Sequence, residues 1–120
     1  MTVYWNEKAE TMPRDELEKL QGEKLKKLAN YVYDNVEFYR KKFDDLGVKP
    51  DDIKSVSDIT KLPLTLKTDL RDHYPFGLNA VPMDDIIRIH ASSGTTGKPT
   101  VVSYTRKDIN DWTELMARTG

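Results

Sequence analysis

The 120-residue sequence contains no cysteine. Disulfides, thiolate metal sites and cysteine nucleophiles are therefore excluded. Histidine is nearly as scarce, with His73 and His90 the only two. They fall on separate predicted elements with no neighbouring ligand pattern, so a histidine-based metal site is not expected. No apolar run approaches the ~18 residues of a membrane span. The opening MTVYWNEKAE lacks the apolar centre of a secretory signal. Neither charge dominates: 19 Lys/Arg stand against 20 Asp/Glu, a net charge of −1. The two signs are mixed along the chain, with no basic arm to serve as a footprint for nucleic acid. These absences predict a cytoplasmic chain with no nucleic-acid and no membrane partner.

What is present suits one folded unit. Apolar residues make up 38% and charged residues 32%. At this length a chain can bury roughly two-thirds of its unfolded surface. Thr11-Met12-Pro13 reads as the opening of a helix, with Asp15, Glu16 and Glu18 near the positive end of its dipole. Leu17, Leu20, Leu25, Leu28 and Val32 supply an apolar stripe over about residues 14–34. Gly22 interrupts that helix at a cost of about 1 kcal/mol against alanine. Lys24, Lys26 and Lys27 read as a solvated face. Asn35 can cap a second helix that Gly47 ends, with Val36, Tyr39 and Phe43 on one face. Tyr31, Tyr33 and Tyr39 read as packing residues of this helical hairpin. Residues 48–64 read as turns with one short helical piece, and Asp51-Asp52 as a turn or cap. Thr65 or Thr68 can start a further short helix, stopped by Pro75 and Gly77.

The pattern changes near Asp85. Pro82-Met83-Asp84-Asp85, before the strand, reads as a helical turn or loop, not a metal site. Ile86 to Ala91 is a strand by composition, and Thr100 to Tyr104 is a second. Thr105 with Asp108 resembles a capping box in which aspartate replaces glutamate. It opens a helix carrying Ile109, Trp112, Leu115 and Met116. Trp112 is expected in core packing, with the lining of a pocket as the alternative. His90 is expected as an ordinary strand residue, with a face toward the neighbouring loop as the alternative. Two strands alone are marginal in water, so the chain is expected to be the front end of something longer.

Between the strands, residues 92–100 read SSGTTGKPT. A Walker loop needs four residues between its first glycine and Gly-Lys, and it leads into a helix. Here Thr95 and Thr96 alone separate Gly94 from Gly97-Lys98, proline follows, and the next element is a strand. The G-x-G-x-x-G dinucleotide pattern fails too. The ingredients of an anion site are nonetheless present. Glycines let backbone N–H groups approach a phosphate. Ser92, Ser93, Thr95 and Thr96 supply hydroxyls, and Lys98 a point charge. On residue types alone, a phosphate cradle and a Ser/Thr-rich hairpin loop both remain open.

The order of the residues adds a resemblance. SSGTTGKPT is similar to the phosphate-binding signature of the adenylate-forming enzymes, which include acyl-CoA synthetases, peptide-synthetase adenylation domains and luciferases. Thr100, where lysine is usual, followed by Val101, Val102 and Tyr104, resembles the phenylacetate–coenzyme A ligase branch. Leu62-Pro63-Leu64-Thr65, Lys67, Asp69-Leu70-Arg71, Tyr74-Pro75-Phe76-Gly77-Leu78 and Ala80-Val81-Pro82 resemble the same branch. So do Trp5-Asn6 and Tyr39-Arg40-Lys41-Lys42-Phe43. The resemblance runs from about residue 5 to 104.

It implies an α/β fold: an incomplete N-terminal AMP-binding domain, with residues 1–80 a mainly helical lead-in and 81–120 strand, phosphate loop, strand and helix. It implies a ligase that joins ATP to phenylacetate or a related aryl acid, releases pyrophosphate, and passes the acyl group to coenzyme A. Mg²⁺ would accompany ATP. Ser93, Gly94, Thr95, Thr96, Gly97 and Lys98 would hold the β- and γ-phosphates, with Ser92 and Thr100 flanking. The adenine contacts, an acidic metal position and a catalytic lysine on a mobile C-terminal domain would lie downstream. The 120 residues alone are thus expected to be inactive. The implied partners are small molecules, with a homodimer as a further option. Two alternatives stand beside this reading: a ligase for a different carboxylic acid, and a small helical interaction module without catalysis.

Overall fold

The structure is a computed structural model that describes residues 3–92 and 97–120. A short helix, α1 (Glu7–Glu10), is capped by Asn6, whose Oδ1 accepts from the Ala9 N–H at 3.1 Å. Thr11 closes this helix and does not open the next one. Its N–H and hydroxyl both donate to the Glu7 carbonyl, at 2.9 and 2.6 Å. The long helix α2 (Arg14–Asn35) begins instead after Pro13, with no side-chain cap. The fixed φ of proline pre-sets the chain for that start.

α2 turns directly into α3 (Glu37–Leu46) at Val36. The predicted Asn35 cap is not used: Asn35 is the last residue of α2, and its amide donates back to the Tyr31 carbonyl at 2.9 Å. Val36 takes the corner in extended conformation and is 2% exposed. Burying an apolar side chain at the corner replaces the capping hydrogen bond. Arg40 secures the corner by donating to the carbonyls of Tyr33 and Asp34 at 2.9 and 2.8 Å. Those carbonyls have no partner within their own helix end. α3 ends at Gly47, as its sequence predicts, with φ of 68°.

Ala29, Phe43 and Ile53 form the buried core, with Leu25, Val32, Tyr33 and Leu62 packed against them. The expected leucine stripe is thus only partly the inner face, since Leu28 is 55% exposed. Gly22 is buried and not a blemish. A Cβ there would sit 3.3 Å from Ser55 Cα and from Val56 N. Glycine is what lets a 3₁₀ helix (Val56–Lys61) lie directly on α2.

Four short starts share one device. Asp52, Asp58, Asp69 and Asp108 each accept the N–H three residues back, from Lys49, Ser55, Leu66 and Thr105. Asp69 so opens α4 (Lys67–Asp72), after Leu66 and not at either predicted threonine.

The sheet is a two-stranded antiparallel hairpin of β1 (Ile86–Ser92) and β2 (Thr100–Thr105). Ser92 pairs with Thr100, His90 with Val102 and Arg88 with Tyr104, and an irregularity between Ile86 and Arg88 breaks the register. β2 runs into α5 (Arg106–Thr119) through the predicted Thr105–Asp108 box. Both α4 and α5 pack on β2. Trp112 on α5 is 40% exposed, so it is not a core residue. Its ring stacks on Tyr104 at 5.6 Å.

Candidate functional site

The loop 92–100 leaves and re-enters the hairpin at one point. Ser92 and Thr100 are directly paired, so they form its neck. Ser93, Gly94, Thr95 and Thr96 lie outside the described residues. Gly97, on the returning limb, has φ of 81°, a left-handed conformation that glycine adopts without steric cost. The Lys98 side chain is exposed, with Nζ 5.8 Å from the centroid of the Tyr74 ring. Pro99 and Thr100 then re-enter the strand. Among the described residues, the Thr100 Oγ1 is buried with no hydrogen-bond partner. A buried hydroxyl at the neck of a loop is a donor in want of an acceptor.

His90 stands near the neck on the same strand as Ser92. Its ring meets Tyr104 at 4.9 Å and Trp112 at 5.7 Å, edge to face. The histidine is thus one of three packed rings on the α5 side of the hairpin. Residue types alone keep His90 and Trp112 apart; the hairpin register brings them together.

The helical layer meets the hairpin through α4, which packs on β2. The Asp69 carboxylate accepts from the Leu66 N–H at 2.7 Å and from Lys42 Nζ on α3 at 3.2 Å. The Leu66 N–H and the Lys42 ammonium hold the Asp69 carboxyl below the usual carboxylate range, against the opposing effect of burial. The His73 ring packs edge to face on Phe38 of α3 at 4.7 Å. Tyr39 and Thr65 share a hydrogen bond of 2.9 Å. The turn that follows α4 carries Tyr74 to Lys98. In the sequence Tyr74 stands out only as part of a longer resemblance. No spacing rule connects residue 74 to residue 98, and only the fold shows the contact.

Among the described residues no group of three or more His, Asp or Glu side chains could hold a metal ion. No helix of the described residues is long and apolar enough to cross a membrane.

No family model matches the chain. Individual proteins do. The chain is 52% identical over 116 residues to the phenylacetate-coenzyme A ligase of Thermus thermophilus, a match that covers 97% of the chain and 26% of that enzyme. It is 56% identical over 109 residues to the Escherichia coli phenylacetate-coenzyme A ligase, covering 91% of the chain and 25% of the enzyme. Among solved structures, 2-hydroxyisobutyryl-CoA ligase in complex with 2-HIB-AMP and CoA superimposes with a TM-score of 0.87 at 36% identity, over 96% of the chain and 25% of that structure. The chain therefore spans about a quarter of the length of the relatives it matches. In fold it corresponds to that share of an acid–coenzyme A ligase of the adenylate-forming class. In sequence it is similar, over nearly all its length, to phenylacetate–coenzyme A ligases.

Proposed function

We propose that this chain carries the ATP-phosphate end of an acid–coenzyme A ligase that activates phenylacetate or a related aryl acid. One observation carries the reading. A hairpin neck closed by Ser92 and Thr100 presents Gly97 and an exposed Lys98 at the return of a glycine- and hydroxyl-rich loop, in a chain similar throughout to named ligases. The division of the chain follows from it. Residues 1–80 act as a helical lead-in that supports the hairpin, and 81–120 supply strand, phosphate loop, strand and helix.

The chain's own contribution is positioning and charge. In adenylation a carboxylate attacks the α-phosphorus of ATP and pyrophosphate leaves. Negative charge on the departing β- and γ-phosphates would be met by the N–H, hydroxyl and ammonium donors of the loop. Ser93, Gly94, Thr95, Thr96 and Gly97 offer N–H and hydroxyl donors, and Lys98 offers the cation. Ser92 and Thr100 hold the two limbs together, and the Thr100 Oγ1, unpartnered among the described residues, suits a loop that gains an acceptor on binding. Magnesium belongs to this reading as the ion that accompanies ATP; the described side chains offer no cluster for it. Coenzyme A enters as the acceptor of the acyl group, at residues outside these 120.

The acid itself has a second reading. The 2-HIB-AMP in the 2-hydroxyisobutyryl-CoA ligase structure is an aliphatic adenylate, so a non-aromatic acid is the competing substrate. Exchange of pyrophosphate into ATP, measured in the longer ligase with phenylacetate, other aryl acids and 2-hydroxyisobutyrate, separates the two. Exchange with the aliphatic acid and none with phenylacetate would overturn the aryl reading. In the same assay Lys98→Ala combined with Thr95→Ala is expected to slow adenylation at least tenfold, about 1.4 kcal/mol. An unchanged rate would remove the phosphate role from this loop.

A further inference from the structure

We propose that Tyr74 is a positioning residue for Lys98: its ring holds the ammonium at the exit of the loop before any nucleotide arrives. The inference rests on the phosphate reading for what Lys98 later does, but not for the contact itself. Lys98 is the only cation within residues 92–100. It stands on a flexible four-carbon stem, and an exposed lysine samples many rotamers. Here Nζ lies 5.8 Å from the Tyr74 centroid, inside the ~6 Å within which a ring face attracts a cation.

The platform under that ring is itself held. The Tyr74 N–H donates to the Arg71 carbonyl at 3.2 Å, and the Gly77 N–H to the His73 carbonyl at 2.8 Å. The turn is tight enough that a Cβ at Gly77 would lie 2.7 Å from both His73 Cβ and the His73 carbonyl oxygen. α4, which precedes the turn, is tied to α3 by the Lys42–Asp69 pair at 3.2 Å. A position on the loop is therefore fixed from the helical layer through one aromatic side chain.

Tyr74 is 41% exposed, so the ammonium keeps part of its water and the contact stays exchangeable. A π-face occupies one side of an ammonium and leaves its remaining N–H donors free. A phosphate can therefore bind Lys98 while Tyr74 retains it, and a charge-assisted bond of that kind is the stronger partner. Tyr74 lowers the cost of ordering the side chain on binding. It supplies no charge and touches no reacting atom.

Two measurements test this. In the longer ligase, the acetylation rate of Lys98 by acetic anhydride is followed by peptide mass spectrometry, with Lys24 as an internal control. A ring that holds the side chain against its face slows acylation. Tyr74→Leu, which keeps apolar bulk, is expected to speed Lys98 acetylation about two- to fivefold, matching an exposed contact of this type. Tyr74→Phe is expected to leave it unchanged. Equal rates in wild type and Tyr74→Leu, or a Phe variant that behaves like Leu, would overturn the proposal. In the longer ligase, Tyr74→Leu is expected to raise KM for ATP by a similar factor with kcat little changed, and Tyr74→Phe to restore it. A lowered KM would mean that the ring competes with phosphate, which also overturns it. Sodium tripolyphosphate should protect Lys98 from acetylation in that enzyme. Loss of protection with the Tyr74 effect intact would sink the phosphate reading and leave the contact standing.

Discussion

Ile53 is 0% exposed and is the largest fully buried side chain among the described residues. It follows the 3₁₀ turn Pro50–Asp52 and seals the space between α2 and α3, against Ala29 and Phe43. Ile53→Ala removes three carbon groups, worth about 2.4 kcal/mol of transfer free energy at ~0.8 per buried methylene. A cavity adds to that, because the walls cannot close. Ala29 and Phe43 are set by two helices joined at a single corner residue, and the backbone at Ile53 is held by its N–H to the Pro50 carbonyl at 3.1 Å. The expected total is about 3–4 kcal/mol, within the span measured for buried aliphatic truncations. For a chain of this size that corresponds to a fall of roughly 10–20 °C in Tm. Thermal and urea unfolding of the chain, followed by helical circular dichroism, reads it directly. Ile53→Val should cost about 1 kcal/mol. Leu28→Ala, at a side chain 55% exposed, should stay within about 0.5 kcal/mol. An Ile53→Ala cost under about 1 kcal/mol, or a Leu28→Ala cost as large as that of Ile53→Ala, would refute the core as assigned.

Two further outcomes follow from the same packing and from charge. Gly22→Ala, worth a gain of about 1 kcal/mol on helix propensity alone, should bring no gain in those melts, because its methyl meets the Ser55–Val56 backbone at 3.3 Å; Gly22→Leu should cost about 2 kcal/mol or more by overpacking. The Asp58 carboxyl is held down to about 2 from 3.8, first by the Lys54 N–H, then by Lys61 and the Ser55 N–H. A depressed folded pKa stabilises fully above the unfolded value and is lost as pH falls through the folded one. Stability should therefore drop between about pH 4 and 2, and Asp58→Asn should flatten that part of the profile.

What could be read from the sequence was whatever a local rule governs. The Thr105–Asp108 box, the end of α3 at Gly47 and the two strands flanking the loop each depend on residues within a few positions of one another. Local rules mislead where a distant partner decides the outcome. Asn35 is a good cap by type, yet burial of Val36 decided the corner. Gly22 reads as a defect until the Val56–Lys61 helix is placed on it. Trp112 has core spacing within its own helix, but the helix packs on a hairpin of only two described strands, and the ring stays 40% exposed. The repeated aspartate starts were partly legible: Ser55-x-x-Asp58 carries the same signal as Thr105-x-x-Asp108. Lys49 and Leu66 offer no such signal, because their own side chains cannot cap.

The site has the same division. The donors of the proposed phosphate loop are contiguous in sequence, so Ser92 to Thr100 could be put forward without a fold. Its placement is not contiguous, and α4 supplies it. α4 packs on β2 and is pinned to α3 by Lys42, whose ammonium bonds both the Asp69 carboxylate at 3.2 Å and the Leu64 carbonyl at 2.8 Å. The turn after α4 then meets Lys98 through Tyr74. On the proposal above, the helical layer thereby sets where Lys98 rests. Lys42 is partly buried, with 30% of its side chain exposed, and Asp69 more so at 16%. Removing one partner leaves the other without its counter-charge. A lesion at this pair should therefore reach the loop, through α4 and Tyr74, before it reaches the Ala29–Phe43–Ile53 core, whose packing rests on apolar contacts and not on that ion pair.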